Sequence, residues 1–214
     1  MENKSFYASM VWKILKSKKF VIIFSLLAVV FCPVAAVASQ MKDTPEPYLT
    51  LTMLNSDMKI GNYIANGSTI TEQQKVTWYI DAQNGMGKTE FVEVKIKLLN
   101  STQPMPNDVT NTPSPEGELV EFRHVLLPYS HWRTPLIWSI SSIEKQDRNV
   151  IINKMIINDQ VIDNLNIQAA DGKDFRIVVE LWRYDRDVGD FTFAWSSSGQ
   201  TRSVWNQIWF DLKD

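Results

Sequence analysis

The chain has 214 residues, of which 44% are hydrophobic and 21% charged, a composition that is typical of a folded protein and excludes a largely disordered one. Residues 1–38 hold five Lys and one Glu, so they carry +4, and the remainder carries −6 of a total of −2. An acidic body lacks the clustered Lys and Arg that phosphates require, which excludes nucleic acid as a partner. The single cysteine, Cys32, excludes an internal disulfide and a thiolate metal cluster.

The N-terminal region combines a basic leader, 1–19, with the apolar stretch 20–39. A helix of this length nearly spans the ~30 Å hydrocarbon core of a bilayer. Basic residues before it predict a cytoplasmic N-terminus, so we predict a single-pass membrane anchor with everything after it extracytoplasmic. The alternative is a signal peptide cleaved after Ala38, because Ala36-Val37-Ala38 fits the small-residue pattern of such sites. Cleavage would release a secreted protein.

Residues 40–47 are polar and contain two prolines, which predicts a semi-stiff spacer. The body, 48–214, is then one domain with the period of β-strands. In 91–99 the apolar side chains of Val92, Val94, Ile96 and Leu98 alternate with charged ones, as on a half-buried strand. Phe175, Ile177, Val179 and Leu181 alternate in the same way, and further strands are predicted at 48–54, 75–82, 118–127, 135–143, 149–157, 190–195 and 203–212.

Turn sequences such as Asn84-Gly85, Asp171-Gly172 and Gly189-Asp190 separate these strands, and no long helical period follows the N-terminal region. The pattern predicts an all-β, immunoglobulin-like antiparallel β-sandwich preceded by one membrane or signal helix. One connection, 100–118, is long and holds four prolines, so it is predicted to be a surface loop. Both a docking loop and a tolerated insertion remain open for it.

The segment 175–212 contains ELWRYD, GDFTFAW and WNQIWFDL, and the weaker PYLTLTMLN opens the body. These stretches resemble the β-domain of domain-of-unknown-function family 1616, a group of uncharacterised archaeal membrane proteins. The resemblance implies an immunoglobulin-like domain outside a membrane, in an archaeal protein. Members of that family have a multi-helix membrane region, whereas this chain has one apolar segment. The family supplies no catalytic residues.

Catalytic and metal-binding patterns are weak in this sequence. His124 and His131 are the only histidines, too few for a three-histidine zinc site and without the HExxH spacing. Asp185, Asp187 and Asp190 resemble a calcium loop but lack its glycine and glutamate positions, and a hairpin turn uses the same residue types. We therefore expect no enzyme activity, no catalytic or metal site and no cofactor.

Aromatic residues concentrate near the C-terminus, where Trp182, Trp195, Trp205 and Trp209 lie within 28 residues. Core packing accounts for them unless one is exposed, in which case it is a candidate for binding a partner. Trp205 and Trp209 have the same parity and are predicted to share a face opposite to Phe210. Asn66 and Asn100 begin N-x-S/T sequons, so both are candidate N-glycosylation sites of an extracytoplasmic glycoprotein.

These observations predict a membrane-anchored, extracytoplasmic, non-enzymatic structural or interaction module that is accessory to a membrane or cell-envelope assembly. Its expected partners are the membrane and other membrane or envelope proteins. The alternative is a module that binds a carbohydrate or an envelope polymer. We expect a partner to contact the exposed tryptophans of the C-terminal hairpins, because tryptophan is enriched at the energetic centres of interfaces.

Overall fold

The computed structural model describes residues 46–65, 67–197 and 199–213. The predicted leader, the anchor and most of the spacer lie outside these ranges. The described strands are β1 Leu49–Leu54, β2 Thr69–Thr71, β3 Val76–Asn84, β4 Glu90–Leu99, β5 Val120–Leu126, β6 His131–Gln146, β7 Asn149–Ile157, β8 Gln160–Ile162, β9 Ile167–Ala170, β10 Phe175–Asp185, β11 Asp190–Thr192, β12 Trp195–Ser197, β13 Gln200–Arg202 and β14 Val204–Lys213. Within the described ranges there is no helix that could cross a membrane.

Most of these strands form two sheets. The first sheet has the order β1-β3-β6-β7-β8, with β9 also paired to β7. The second sheet has the order β2-β14-β10-β4-β5, with β11 paired to β10, and β12 and β13 form a separate hairpin. Pairing is antiparallel throughout except between β2 and β14, which run parallel.

The core lies between the two sheets and contains a chain of aromatic rings. Trp78 of β3 contacts Trp138 of β6 at 5.0 Å between ring centroids, and Trp138 contacts Phe210 of the opposite sheet at 5.1 Å. The indole N–H of Trp78 donates a hydrogen bond to the Tyr63 carbonyl at 2.6 Å, which satisfies the polar atom of a fully buried ring. The prediction of an all-β antiparallel sandwich is confirmed.

The strand order shares its centre with immunoglobulin domains, in which an A-B-E-D sheet packs on a G-F-C sheet. Here β1-β3 lies opposite β14-β10-β4, which are the positions of A-B and G-F-C. β6 pairs with β3 and so takes the position of E, and β7 takes the position of D. Their chain order is reversed, because D precedes E in an immunoglobulin domain whereas β6 precedes β7 here.

The alternating strands of the second sheet face the core as predicted. Val92, Val94, Ile96 and Leu98 of β4 are buried, as are Phe175, Ile177, Val179 and Leu181 of β10. The stretch 190–195, predicted as one strand, is instead divided between β11 and β12, which pair with different strands. The division is possible because the chain leaves β10 after only three pairs.

The charged face of β4 does not point to solvent, which corrects the prediction of a half-buried strand. The side chains of Lys97 and Glu180 are only 4% and 0% exposed. The cover is the proline-rich segment 100–118, whose Ser114 accepts a hydrogen bond from Lys97 Nζ at its carbonyl and donates its N–H to Glu180. Buried backbone groups need hydrogen-bond partners, and the N–H and carbonyl of Ser114 obtain them from Glu180 and Lys97 of the sheet.

Candidate functional site

We call one end of the sandwich the loop end. It is formed by the β3–β4 turn (85–89), the β5–β6 turn (127–130) and the β10–β11 turn (186–189). Buried Asn84 joins the first two turns, because its Nδ2 donates to the carbonyls of Lys88, Leu126 and Leu127 at 2.8–3.0 Å. Its Oδ1 accepts from Met86 N, so one side chain fixes the backbone of both turns. In immunoglobulin variable domains the loops at the corresponding end carry the binding surface.

The described chain also enters the domain at the loop end, because Leu49 at the start of β1 pairs with Asn84 at the end of β3. The Tyr48 ring lies where a Cβ on Gly85 would be, within 2.4 Å, so only glycine allows this packing. The entry is held further by Ser197, whose hydroxyl donates to the Pro47 carbonyl, and by an ion pair between Glu46 and Arg202.

Three aromatic rings lie together on the outer face of the second sheet at its loop end. Phe91 of β4 is 4.9 Å from Phe191 of β11 and 6.1 Å from Tyr184 of β10, and Tyr184 is 5.5 Å from Phe191. We call these three residues the aromatic triad. Each comes from a different strand, and sheet pairing fixes their relative positions because Tyr184 and Phe191 are direct partners. Phe91 remains 38% exposed.

A pocket of about 680 Å³ opens beside the aromatic triad. Two triad members, Phe91 and Tyr184, line it, together with Thr89 and Val125. The remaining lining residues are charged: the cations are Lys88, Arg183 and Arg186, and the anions are Glu90, Asp185 and Asp187. Its volume is within the range of small-molecule sites, roughly 300–1,000 Å³. The balance of three cations against three anions leaves the lining without net charge.

One carboxylate of this pocket is not fully satisfied. Arg183 Nε donates to Glu90 Oε2 at 2.7 Å, so the two side chains form an ion pair across β10 and β4. Glu90 Oε1 is buried and accepts no hydrogen bond from any described residue, although the Lys88 ammonium lies 3.6 Å away. The Glu90 side chain is 4% exposed. Buried carboxylate oxygens in folded proteins normally have a donor, so this oxygen has unused accepting capacity.

Apolar side chains are exposed at the loop end, and one of them, Val125, also lines the pocket. We call Val125, Leu127, Tyr129 and Val188 the apolar rim; all four are more than half exposed, and Tyr129 is 71% exposed. Val125 is the direct cross-strand partner of Phe91. The Tyr129 hydroxyl packs against Gly87 of the β3–β4 turn. Exposed apolar groups gathered at one end of a domain are typical of an interaction site, whereas scattered single ones are not.

The four predicted tryptophans do not form one surface. Trp195 is buried, and Trp182 and Trp205 are half-buried with their indole N–H groups bonded to Glu180 and Asp108. Trp209 is 40% exposed. Trp205 and Trp209 lie on the outer face of β14 and Phe210 faces the core, as the parity predicts. Their role in binding a partner stays a prediction, and Trp209 is the member whose exposure permits it.

Trp209 lies far from the loop end and covers Arg176, whose guanidinium carbon is 4.7 Å from the ring centroid. Arg176 is almost fully buried, and burial lowers the pKa of its guanidinium. No carboxylate of the described residues pairs with it, and its Nη2 donates to the Gln103 carbonyl of the covering segment. The ring and the segment therefore replace solvent around this cation.

The two candidate glycosylation sites differ in what can be described. Asn66 lies outside the described residues. Asn100 begins the covering segment: its Oδ1 accepts from Thr102 N and Gln103 N, and its Nδ2 donates to the Gln168 carbonyl at 2.8 Å. This side chain shapes the turn, and its modification stays a prediction.

The histidines and aspartates of the weak metal-binding patterns make other contacts in the fold. His124 stacks on Trp132 at 4.7 Å, and His131 Nδ1 lies 3.3 Å from Asp81. Asp185 Oδ1 accepts the N–H of Asp187, which is a turn contact of the kind that a hairpin requires. Across 46–65, 67–197 and 199–213, no group of three or more His, Cys, Asp or Glu residues could hold a metal ion.

The aromatic triad and its pocket were not found from the sequence. A usable signal was present, because Phe91 and Tyr184 have the parity of the charged face on strands whose apolar residues face inward. An aromatic residue on the polar face of an alternating strand is not needed for the core. The turn residues of 185–190 indicate a hairpin of β10 and β11, but the sequence does not contain the pairing of β4 with β10, which places Phe91 beside the other two rings.

Comparison with known proteins identifies no family. No protein-family model matches the chain, and no curated protein matches it. Among solved structures, a CARDB domain from Pyrococcus furiosus in complex with di-metal ions is 8% identical at a TM-score of 0.36, over 78% of this chain and 90% of that one. A sporulation control protein from Bacillus subtilis is 6% identical at 0.34, over 78% and 49%. A β-glucosidase from Erythrobacter marinus is 8% identical at 0.35, over 78% and 16%. These values assign no function to the chain.

Proposed function

We propose that this protein is a membrane-anchored, extracytoplasmic, non-enzymatic interaction module that is accessory to a membrane or envelope assembly. The observation that carries the proposal is the apolar rim of Val125, Leu127, Tyr129 and Val188 at the loop end. Val125 lies on β5 and the other three residues lie in the turns at this end of the sandwich, where loops supply recognition in related architectures. Membership of family 1616 and glycosylation at Asn66 or Asn100 are part of this proposal.

The position of the loop end favours a partner at the membrane surface. The described chain enters the domain there, at Glu46 to Tyr48. If residues 20–39 span the bilayer, the eight-residue spacer 40–47 reaches at most about 28 Å when fully extended. We therefore expect the partner of the apolar rim among the outer parts of neighbouring membrane proteins.

The topology can be tested by adding protease to intact cells. We expect digestion of the body from Tyr48 onward, since it lies outside, and full protection would contradict this topology. N-terminal sequencing of the native protein separates the anchor from its alternative. An intact leader supports the anchor, and a chain beginning at Ser39 would show that the segment is a cleaved signal.

The docking surface can be tested with the double variant Leu127→Ser/Tyr129→Ser. Both side chains are largely exposed, so the fold should persist while association with membrane partners weakens by ~2 kcal/mol, or roughly 30-fold. Stoichiometric co-purification from mild detergent measures the association. Trp209→Ala is the matched control, since it removes an exposed ring far from the loop end. Loss of the partner in Trp209→Ala alone would move the docking surface to the C-terminal hairpins.

A second candidate function, binding of a carbohydrate or envelope polymer, is favoured by the pocket beside the aromatic triad. Its charged lining is poorly suited to an apolar protein side chain, because burying those groups without partners costs free energy. A polar ligand that hydrogen-bonds to them avoids this cost.

A further inference from the structure

We propose that the pocket at the loop end is a binding site for a neutral saccharide, such as a glycan of the cell envelope. Phe91 and Tyr184 would contact the C–H face of a sugar ring, and Glu90 and Arg183 would hydrogen-bond its hydroxyl groups. The inference rests on the proposed function in one respect, that the loop end is the binding end of an extracytoplasmic domain.

The aromatic triad provides the apolar half of this site. Phe91 and Tyr184 both line the pocket, and Phe191 holds them from the side at 4.9 and 5.5 Å. A pyranose ring has one face formed mainly by C–H groups, which packs on an aromatic face and removes apolar area from water. Since the three rings come from paired strands, the surface is present before a ligand arrives, and binding does not have to order it.

The ion pair of Glu90 and Arg183 provides the polar half. Both side chains have the inward parity of their strands, so they line the pocket from the core side, next to the outward-facing rings. A sugar hydroxyl both donates and accepts hydrogen bonds, and neighbouring hydroxyls can use a carboxylate and a guanidinium together. Arg183 Nε already donates to Glu90 Oε2 at 2.7 Å, which leaves Oε1 as the acceptor without a donor. Lys88 Nζ at 3.6 Å is too far to be that donor, and its side chain is 62% exposed, so it can move aside.

The balance of charge in the lining selects for a neutral ligand. Three cations and three anions surround the pocket. A strongly anionic ligand would meet Glu90, Asp185 and Asp187, and a cationic one would meet Lys88, Arg183 and Arg186. A neutral polyol meets donors and acceptors of both kinds without placing like charges together.

The test uses the full-length chain in a detergent without a sugar head group, titrated by calorimetry with neutral tetrasaccharides: cellotetraose, chitotetraose and mannotetraose. The acidic and basic comparison probes are tetragalacturonic acid and tetraglucosamine. We expect at least one neutral probe to bind and to be preferred over both charged ones. Absence of binding to all three neutral probes by the folded chain, or preference for a charged probe, would overturn the proposal.

Two variants locate the binding in the pocket. Phe91→Ala removes the exposed ring, and Glu90→Gln keeps the side-chain shape and an oxygen for Arg183 while Oε1 becomes an amide donor. Each should weaken binding of the neutral probe at least tenfold. Trp209→Ala and Glu72→Gln, which change an aromatic and a carboxylate elsewhere, should leave it unchanged. Thermal unfolding confirms that each variant is folded, and unchanged binding in both pocket variants would also overturn the proposal.

The outcome is separable from that of the proposed docking surface. Leu127→Ser/Tyr129→Ser should lose the membrane partner while it retains the neutral saccharide. Loss of the partner in that variant, without saccharide binding by the native chain, would leave the interaction module standing and remove only the saccharide site. Saccharide binding by a chain that has no membrane partner would leave the saccharide site standing and remove the interaction module.

Discussion

The outer face of the second sheet and the loop end both concentrate charged side chains, and they differ in how those charges are satisfied. On the outer face, Lys97 and Glu180 form an ion pair at 3.1 Å that segment 100–118 seals from water. Glu180 accepts further hydrogen bonds from Ser114 N at 2.8 Å and from the Trp182 indole at 3.0 Å. At the loop end, Glu90 has the single strong partner Arg183 and an oxygen without a donor, beside an open pocket.

The difference separates a structural charge cluster from a candidate binding site. Charges that are removed from water must be paired and hydrogen-bonded, and the outer face meets this condition within the chain. The loop end leaves accepting capacity unused, so a ligand can add to its hydrogen bonds without displacing others.

The largest effect is expected from Lys97→Met on the outer face of the second sheet. The substitution leaves Glu180 as a buried charge without a cation, which should lower the free energy of unfolding by about 3–5 kcal/mol. Urea denaturation followed by tryptophan fluorescence measures the loss. Lys88→Met at the loop end is the control, because its side chain is 62% exposed, and it should cost under about 0.5 kcal/mol. Equal losses in the two variants would refute the distinction between the regions.

Asn84→Ala should have the next largest effect, this time at the loop end. It deprives the carbonyls of Lys88, Leu126 and Leu127 of a shared donor, which should cost about 2–3 kcal/mol. Amide hydrogen exchange should also accelerate in 86–89 and 127–130. Gln83→Ala, one residue earlier and exposed, is the control. Unchanged exchange in both turns would show that Asn84 does not hold them together.

Trp205→Phe should have a smaller effect, on segment 100–118, which covers the outer face of the second sheet. The ring is kept, but Asp108 of the covering segment loses the indole N–H, at a cost of about 1 kcal/mol. Hydrogen exchange should increase within 104–113 while 86–89 remains protected. Trp209→Phe is the matched aromatic control, and an equal increase there would argue against an anchor at Trp205.

The smallest effect is expected at the exposed ion pair of Arg148 and Asp171, which has neither a cover nor a pocket. The hydrogen bond from Arg148 holds the pKa of the Asp171 carboxyl below its ordinary value. A lowered pKa contributes stability above the unfolded-state pKa of about 3.9, and this contribution is lost as the pH falls through the folded-state pKa. In Arg148→Gln the Asp171 pKa should rise toward its ordinary value in a carboxyl NMR titration. An unchanged pKa would exclude Arg148 as the cause.

Most of the strands were predictable because one face of each is apolar and the other is not. The prediction of 149–157 coincides with β7, and those of 91–99 and 175–182 lie within β4 and β10. The short strands β2, β8, β9 and β13 were not predicted, since three or four residues carry too little periodicity and depend on the strand beside them. Segment 100–118 was predicted as a surface loop, yet its contacts with Lys97, Glu180 and Arg176 depend on groups distant in the chain.

By itself, the sequence determined the all-β class and the inward faces of the long strands, because period-two alternation is a local property that burial of one face enforces. Only the tertiary structure decided which charges are sealed and which remain available. Alternation along β4 gives Lys97 the parity of the outer face and Glu90 that of the core face, but it does not say whether either charge is sealed or lies beside open space. The difference arises from what lies above each of them: a proline-rich segment that returns across the sheet in one case, and an open space between two turns in the other.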